Sequence, residues 1–390
     1  MLVITFAAII AAFFLLILFL PKHTGEISRL EFRKLAESPL KGLTAETAVR
    51  QIAEGTLSKN TDTFLEDHFP ACGFFIAVNS YYSRLTGRNA VQTVLTGKNG
   101  RMFDQPVEVN EAQLERNLGF FEKFAQENGM QAELVIVPTS AYYYEEELPA
   151  LHPVYHDAEA LEYFKQHTVL DYVDVAETFR NAEEPLSALA SYTEYRPQLY
   201  YRTDHHWNLT GAYVCYREIC ERWGEEPVSL DAFTELEEYE FYGSIYRKSG
   251  AWLTKPDTLH VLRSPALDNA KVTIGDGDNA KVYTGVYDDT QLVDGWLDKY
   301  AAYLYGNNAL TVIENPEATG EPIMIVKDSY GNSLAPFFVM THRIVVMIDT
   351  RNYGQMTEPS EIAERYGVEK LIIVLGLDSA ASENSYGYLR

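Results

Sequence analysis

Four short, almost uninterrupted apolar runs constrain the fold most. They are Glu133-Leu-Val-Ile-Val-Pro138, Ile323-Met-Ile-Val-Lys327, Arg343-Ile-Val-Val-Met-Ile-Asp349 and Lys370-Leu-Ile-Ile-Val-Leu-Gly376. A strand with one wet face alternates apolar and polar residues. A strand covered on both faces reads as a continuous apolar run, the mark of a parallel sheet inside an α/β protein. Helical periodicity falls between the runs, at Glu111–Asn128 (Leu114, Leu118, Phe121 and Ala125 on one face), Ala158–Gln166, Thr210–Trp223 and Ser360–Tyr366. Val169–Val175 reads as a further strand. The alternation predicts a three-layer α/β sandwich with a mainly parallel sheet.

The remaining chain is organised around that sheet. Residues 26–90 carry helical, amphipathic spacing, as in Ser28–Leu35 and Thr61–Tyr82. Lys98-Asn99-Gly100 between apolar flanks predicts a hairpin. Residues 224–320 are polar and rich in glycine and aspartate. They are expected to form a loop-rich insertion with strand-like pieces at Lys271–Ile274 and Ala280–Tyr287. Residues 22–390 would then form one domain behind an N-terminal segment, 1–21.

That segment is apolar from Leu2 to Leu20 except for Thr5, and Pro21 breaks it. Nineteen residues at helical rise reach roughly 28 Å, about the hydrocarbon thickness of a bilayer. No small-x-small cleavage site closes the run, so an uncleaved, single-pass transmembrane anchor is expected. Lys22, Arg29, Arg33 and Lys34 follow it, and the positive-inside tendency would then put the body inside the cell.

Composition narrows the function classes. A formal charge of −24 excludes nucleic acid as an expected partner, because phosphate binding needs a basic face. An apolar content of 46 % supports a substantial core. The 27 tyrosines suit either an aromatic core or sugar-binding surfaces. Cys72, Cys215 and Cys220 show neither disulfide nor zinc spacing and read as free thiols.

The chemistry is concentrated in two stretches. Tyr200–Tyr213 sets Asp204, His205, His206 and Trp207 side by side between an extended run, Gln198–Thr203, and a helix. On an extended backbone, residues two apart share a side, so Asp204 and His206 face together and His205 points away. Ile323–Ser333 reads as a buried strand ending in a polar cluster that offers the Ser329 hydroxyl. Asp204, His206 and Ser329 are the parts of a nucleophilic triad. Asp328 is a helix cap or a site residue, and Asn208 starts a helix. The Asp204/His205/His206 spacing fits no zinc pattern, so no metal is expected, and the chemistry calls for no cofactor. Arg351, after the next strand, is placed to hold substrate or developing charge. Trp207 is either packing or a sugar platform.

TDHHW before a helix, with a distant KDSYGNS at a strand end, resembles the DHHW family of bacterial proteins. That family is similar to the alginate O-acetylation proteins of the SGNH-hydrolase-like superfamily. DHFP at Asp67–Pro70, GKNGRMF at Gly97–Phe103 and VPTSAYYYEEELP at Val137–Pro149 add to the resemblance, which spans about residues 26–390. It implies an SGNH-hydrolase-like sheet in permuted order, with the Asp/His element before the serine. It implies Ser329 as nucleophile, His206 as its base and Asp204 as the group that orients His206. Trp207, Tyr330, Asn332 and Arg351 are the substrate-binding candidates. Lys327 stands where those hydrolases often carry glycine, which leaves the oxyanion donors open among Asn307, Asn308 and Asn332. The implied function is O-acetylation of a cell-envelope polysaccharide through an acetyl-serine. A membrane-bound acyltransferase would supply acetyl groups, and the domain would lie outside the cell membrane. An acetyl esterase with the same triad and a non-catalytic polysaccharide-binding or assembly scaffold are the alternatives.

Overall fold

The computed structural model describes residues 2–26, 35–88, 90–91, 93–182, 198–293, 298–354 and 356–389. The chain divides into two compact units. One is Met1–Gln92 with Tyr246–Thr254, the other Thr93–Ile245 with Lys255–Arg390.

The larger unit is built on an eight-stranded sheet. Its strands in chain order are β1 (Gln131–Val137), β2 (Asp171–Val173), β3 (Lys271–Ile274), β4 (Lys281–Thr284), β5 (Leu310–Glu314), β6 (Ile323–Lys327), β7 (Ile344–Ile348) and β8 (Lys370–Gly376). Across the sheet they run β2-β1-β8-β6-β7-β5-β3-β4. The four apolar runs that define the fold are its centre, paired in parallel: β6 with β7, β6 with β8, and β8 with β1, which also pairs in parallel with β2. Alternate residues of β6 feed two cores. Ile323 and Ile325 join the helices Leu209–Trp223 and Tyr330–Thr341 on one face. Met324 and Val326 join Glu111–Glu127, Asp157–His167 and Pro359–Tyr366 on the other. Helices on both faces complete the three-layer arrangement.

The sheet is mixed rather than uniformly parallel. β5 runs antiparallel to β7, β3 to β5, and β4 to β3. All three come from the segment 224–320. Its strands are therefore part of the sheet, because β5 supplies a buried row (Leu310–Ile313) that pairs with β7. A two-stranded ribbon, Glu235–Phe241 with Asp257–Arg263, comes from the same segment. The Lys98–Gly100 turn joins Val94–Thr96 to Met102–Phe103 as an antiparallel pair, with Asn99 at φ 56°.

The smaller unit holds the helices Leu2–Phe19, Ala45–Ala53, Thr56–Asp67 and Cys72–Leu85. The helical run expected over Thr61–Tyr82 is broken by Pro70 and by Ala71 at φ 56°. Phe13 stacks on Phe69 at 5.4 Å. Among the described residues no helix is long and apolar enough to cross a membrane, so the expected span is not supported. Leu2–Phe19 has 18 residues, and its apolar side chains are largely exposed. The helix expected from Ser28 lies, up to residue 34, outside the described residues.

Candidate functional site

Ser329 is placed by the sheet. All five residues of β6 are buried, and the strand ends at Lys327. Asp328 then turns the chain. Its carboxylate accepts the Tyr330 N–H at 2.9 Å and the Gly376 N–H at 2.8 Å, tying the first turn of helix Tyr330–Thr341 to the end of β8. Asp328 is thus the capping group. Ser329 sits at the corner between strand and helix and keeps its hydroxyl free of any capping bond. A Cβ on Gly331 would lie 2.6 Å from the Lys327 Cβ, so only glycine lets the helix start this close to the strand.

His206 is placed by a turn. Tyr200 and Trp207 form an antiparallel bridge, closed by Tyr201 N–H to the His206 carbonyl (3.2 Å) and Asn208 N–H to the Leu199 carbonyl (2.8 Å). The Asp204 carboxylate accepts the backbone N–H of His206 at 3.0 Å, an aspartate turn. Asp204 and His206 therefore share a side because the chain folds back, not because it is extended. The same turn overturns the expected orientation of His205. Its ring lies 3.8 Å from the His206 ring, with Nδ1 3.4 Å from the Asp204 carboxylate and 2.9 Å from the Ser244 hydroxyl.

The turn is held from outside. Asp257 takes the backbone N–H groups of Arg202 (3.1 Å) and Thr203 (2.8 Å) and the Thr203 hydroxyl (2.6 Å). The Ser244 N–H donates to Asp204. A Cβ on Gly243 would fall 2.2 Å from the Asp204 Cβ, so this position also requires glycine.

The two segments meet. His206 Nδ1 lies 2.5 Å from Asp204 Oδ1, and Nε2 lies 2.6 Å from Ser329 Oγ. With the Nδ1 proton donated to the carboxylate, Nε2 is the acceptor for the serine hydroxyl. Asp204 and His206 are buried, and Ser329 is partly open. Burial would raise the Asp204 carboxyl, but both imidazoles and the bonds from His206 outweigh it and hold the group well below its usual range. Burial pushes the His206 imidazole down to about 4; His205 adds to this and Asp204 opposes it. A neutral imidazole near neutral pH can accept a proton.

The other expected site residues divide in two. Trp207 is fully buried and donates to the Ser333 hydroxyl at 2.9 Å, so it packs and offers no platform to a sugar. Tyr330 donates to the His205 carbonyl at 2.7 Å and lines a small pocket with His205, Asp104, Thr139 and Asp378. Asn332 and Arg351 belong to a neighbouring polar cluster that is buried at Asn332, Lys327 and Asp349 and open at Asn307. The Asn307 side-chain oxygen accepts from Asn332 (3.0 Å) and from Lys327 (3.2 Å). Arg351 closes a two-pronged pair on Asp349 at 2.9 and 2.6 Å. Burial lowers the Lys327 ammonium to about 8, against the pull of Asp349. Lys327 thus fills the glycine position with a buried cation whose partners are Asn307 and Asp349.

Two contributors escaped the sequence reading. Asp257 lies in an exposed-looking ribbon, and Tyr300, whose ring stacks on His206 at 4.0 Å, lies in a stretch with no periodic signal. For a metal, Asp204, His205 and His206 each present a donor atom within 4.8 Å of the others, but the short bonds already engage both nitrogens of His206.

Residues 188–348 match the model of the DHHW protein family, and residues 94–243 match that of the SGNH hydrolase-like domain of the acetyltransferase AlgX. No curated protein matches the chain. Among solved structures, a DHHW family protein from Eubacterium siraeum is 20 % identical with a TM-score of 0.60, covering 77 % of this chain and 95 % of its own. PatB1 from Bacillus cereus, solved with a sulfonyl adduct, is 16 % identical with a TM-score of 0.60, covering 76 % of this chain and 98 % of its own. At these identities the likeness is one of fold. The resemblance to the DHHW family therefore holds across the segment that carries Asp204, His206 and Ser329.

Proposed function

We propose that this chain is an O-acetyltransferase of a cell-envelope polysaccharide, working through an acetyl-Ser329 intermediate. The observation that carries the reading is the continuous line of hydrogen bonds from Asp204 through His206 to Ser329, at 2.5 and 2.6 Å. The match of residues 94–243 to an acetyltransferase model supports it. A serine hydroxyl is a weak nucleophile near neutral pH and needs an adjacent base. Ser329 Oγ attacks the carbonyl carbon of an acetyl ester while its proton passes to His206 Nε2. Asp204 stabilises the resulting imidazolium. The acyl C–O bond of the donor breaks, and the leaving oxygen takes the proton from Nε2. A sugar hydroxyl then gives its proton to His206 and attacks the acetyl carbon. Collapse releases the acetylated sugar and returns a proton to Ser329 Oγ.

We assign acetyl supply to a membrane-bound acyltransferase partner. Membrane attachment we assign to Leu2–Phe19, with the larger unit outside the cell, although Lys22 after the helix favours the opposite side. Protease shaving of intact cells checks the side: digestion of the body before lysis agrees, and protection until lysis contradicts.

The function is tested with a chromogenic acetyl ester, with and without an oligosaccharide acceptor. Acetyl should appear on the oligosaccharide, and the acceptor should speed chromophore release. Release of acetate alone would make the chain an esterase. Release no faster than with Ser329→Ala would overturn the acyl-serine reading.

A further inference from the structure

Tyr300 comes from the short turn Lys299–Ala302, inside the segment where the sequence is least regular. Its side chain is buried. Its ring lies face to face with the His206 imidazole, 4.0 Å between centroids and 8° between planes. Its hydroxyl donates to the Ser329 carbonyl at 3.1 Å and is bonded to the Ser333 hydroxyl at 3.0 Å. Ser333 in turn accepts the indole N–H of Trp207, the residue after His206, at 2.9 Å. Burial holds the phenol well above its usual range, so it stays protonated and remains a donor. One side chain therefore touches the base through its ring face and the serine corner through its oxygen.

We infer that Tyr300 is the positioning residue of this site: its ring fixes the plane of the His206 imidazole so that Nε2 faces Ser329, and its hydroxyl ties that plane to the serine backbone. The inference rests on the acyl-serine reading. Two physical effects follow from the stack. A planar ring at van der Waals distance confines rotation of the imidazole about its χ2 torsion, which is otherwise broad. The π face also attracts a cation more than a neutral ring, so the contact strengthens when His206 takes the serine proton. An interaction that grows toward the transition state raises kcat and leaves KM alone.

The test compares Tyr300→Phe, which keeps the ring and loses the oxygen, with Tyr300→Leu, which loses both. With the chromogenic acetyl ester, Tyr300→Phe should keep kcat within about 3-fold of the native chain, and Tyr300→Leu should lose about 30-fold, KM staying within about 2-fold in both. If Tyr300→Leu does not fold, Tyr300→Met fills the slot without a ring face. Proton NMR of the histidine rings gives an independent readout. The His206 ring protons should be shifted upfield by the stacked phenol in the native chain and in Tyr300→Phe, and not in Tyr300→Leu. Equal losses for Phe and Leu, a rise in KM at constant kcat, or no upfield shift in the native chain would each overturn the inference. If the native chain turns over and Tyr300→Leu matches it, the inference alone falls. If the native chain is inert towards the ester, the acyl-serine reading falls with it.

Discussion

Ser329 and His206 reach one point from two differently held segments. Ser329 follows β6, whose residues are paired on both sides, with β7 and with β8. His206 sits in a turn whose ladder is a single bridge, Tyr200 with Trp207. What holds that turn is side-chain chemistry: Asp257 on Arg202 and Thr203, the Asp204 carboxylate on its own backbone, and Tyr300 on the imidazole. Backbone ladders survive the loss of one side chain, because each residue adds its own bonds. A clamped turn loses its geometry when one clamp goes. The serine should thus be sensitive to its own replacement, to loss of the Asp328 cap and to a side chain at Gly331, but tolerant of apolar changes along β6, whereas the histidine should be sensitive to residues that never touch substrate.

Replacing the reacting groups should give the largest effects. Ser329→Ala and His206→Ala should each lower ester turnover at least about 10³-fold with the fold intact by circular dichroism, and the double variant should be no worse than either, since they act as one unit. Asp204→Asn should cost about 10³-fold, because an amide can donate to Nδ1 and favour the wrong tautomer. Next comes the clamp. Asp257→Ala strands the Arg202 and Thr203 donors and should cost about 3 kcal/mol in denaturant unfolding, with turnover down about 10-fold or more in the protein that remains folded. If Asp257→Ala unfolds the chain less than this and leaves turnover unchanged, the contrast between ladder and clamp is broken.

His205→Ala sharpens the comparison with a smaller effect. His205 lowers the His206 imidazole, so its loss should move the acid limb of the kcat/KM profile to higher pH, with turnover at neutral pH down only severalfold. A limb that stays in place would show that the two rings are not electrostatically coupled. Smallest is the pH dependence of stability. Folding lowers the His206 value from 6.5 to about 4, so between those values the unfolded chain binds the extra proton and stability falls as pH falls. Glu133, raised by burial from 4.5 to about 7, works the other way over an overlapping window. The difference between the native chain and His206→Gln isolates the histidine: the native chain's stability relative to the variant should fall as pH falls from 6.5 to 4.

The parts held by ladders were the legible ones. Continuous apolar runs mark β1, β6, β7 and β8 because both faces of each strand are buried, and burial on both faces leaves no polar residue in the pattern. The edge was harder to read. β3 and β4 read as strand-like pieces, but at four partly exposed residues each nothing in them tells that they join the central sheet. The residue types of the site were equally plain, since an Asp-x-His pair and a serine after a buried strand are local signals. Their geometry was not local. The fold-back that brings Asp204 beside His206 also brings His205 there, and alternation along a strand cannot anticipate a turn. Tyr300 and Asp257 are distant in sequence from the residues they hold, and neither has a spacing that would reveal it. Trp207 reads as surface or core with equal ease until Ser333 is seen to take its indole proton.

The most direct test of the account is to trap the serine. The chain is treated at neutral pH with an aryl sulfonyl fluoride, a reagent that transfers its sulfonyl group to an activated hydroxyl with loss of fluoride. Intact-mass and peptide mass spectrometry then locate the product. One adduct per chain is expected, on the peptide containing Ser329. It should be absent in Ser329→Ala and should form at least about 10²-fold more slowly in His206→Ala. An adduct on another residue, or labelling of Ser329 at the same rate without His206, would contradict it.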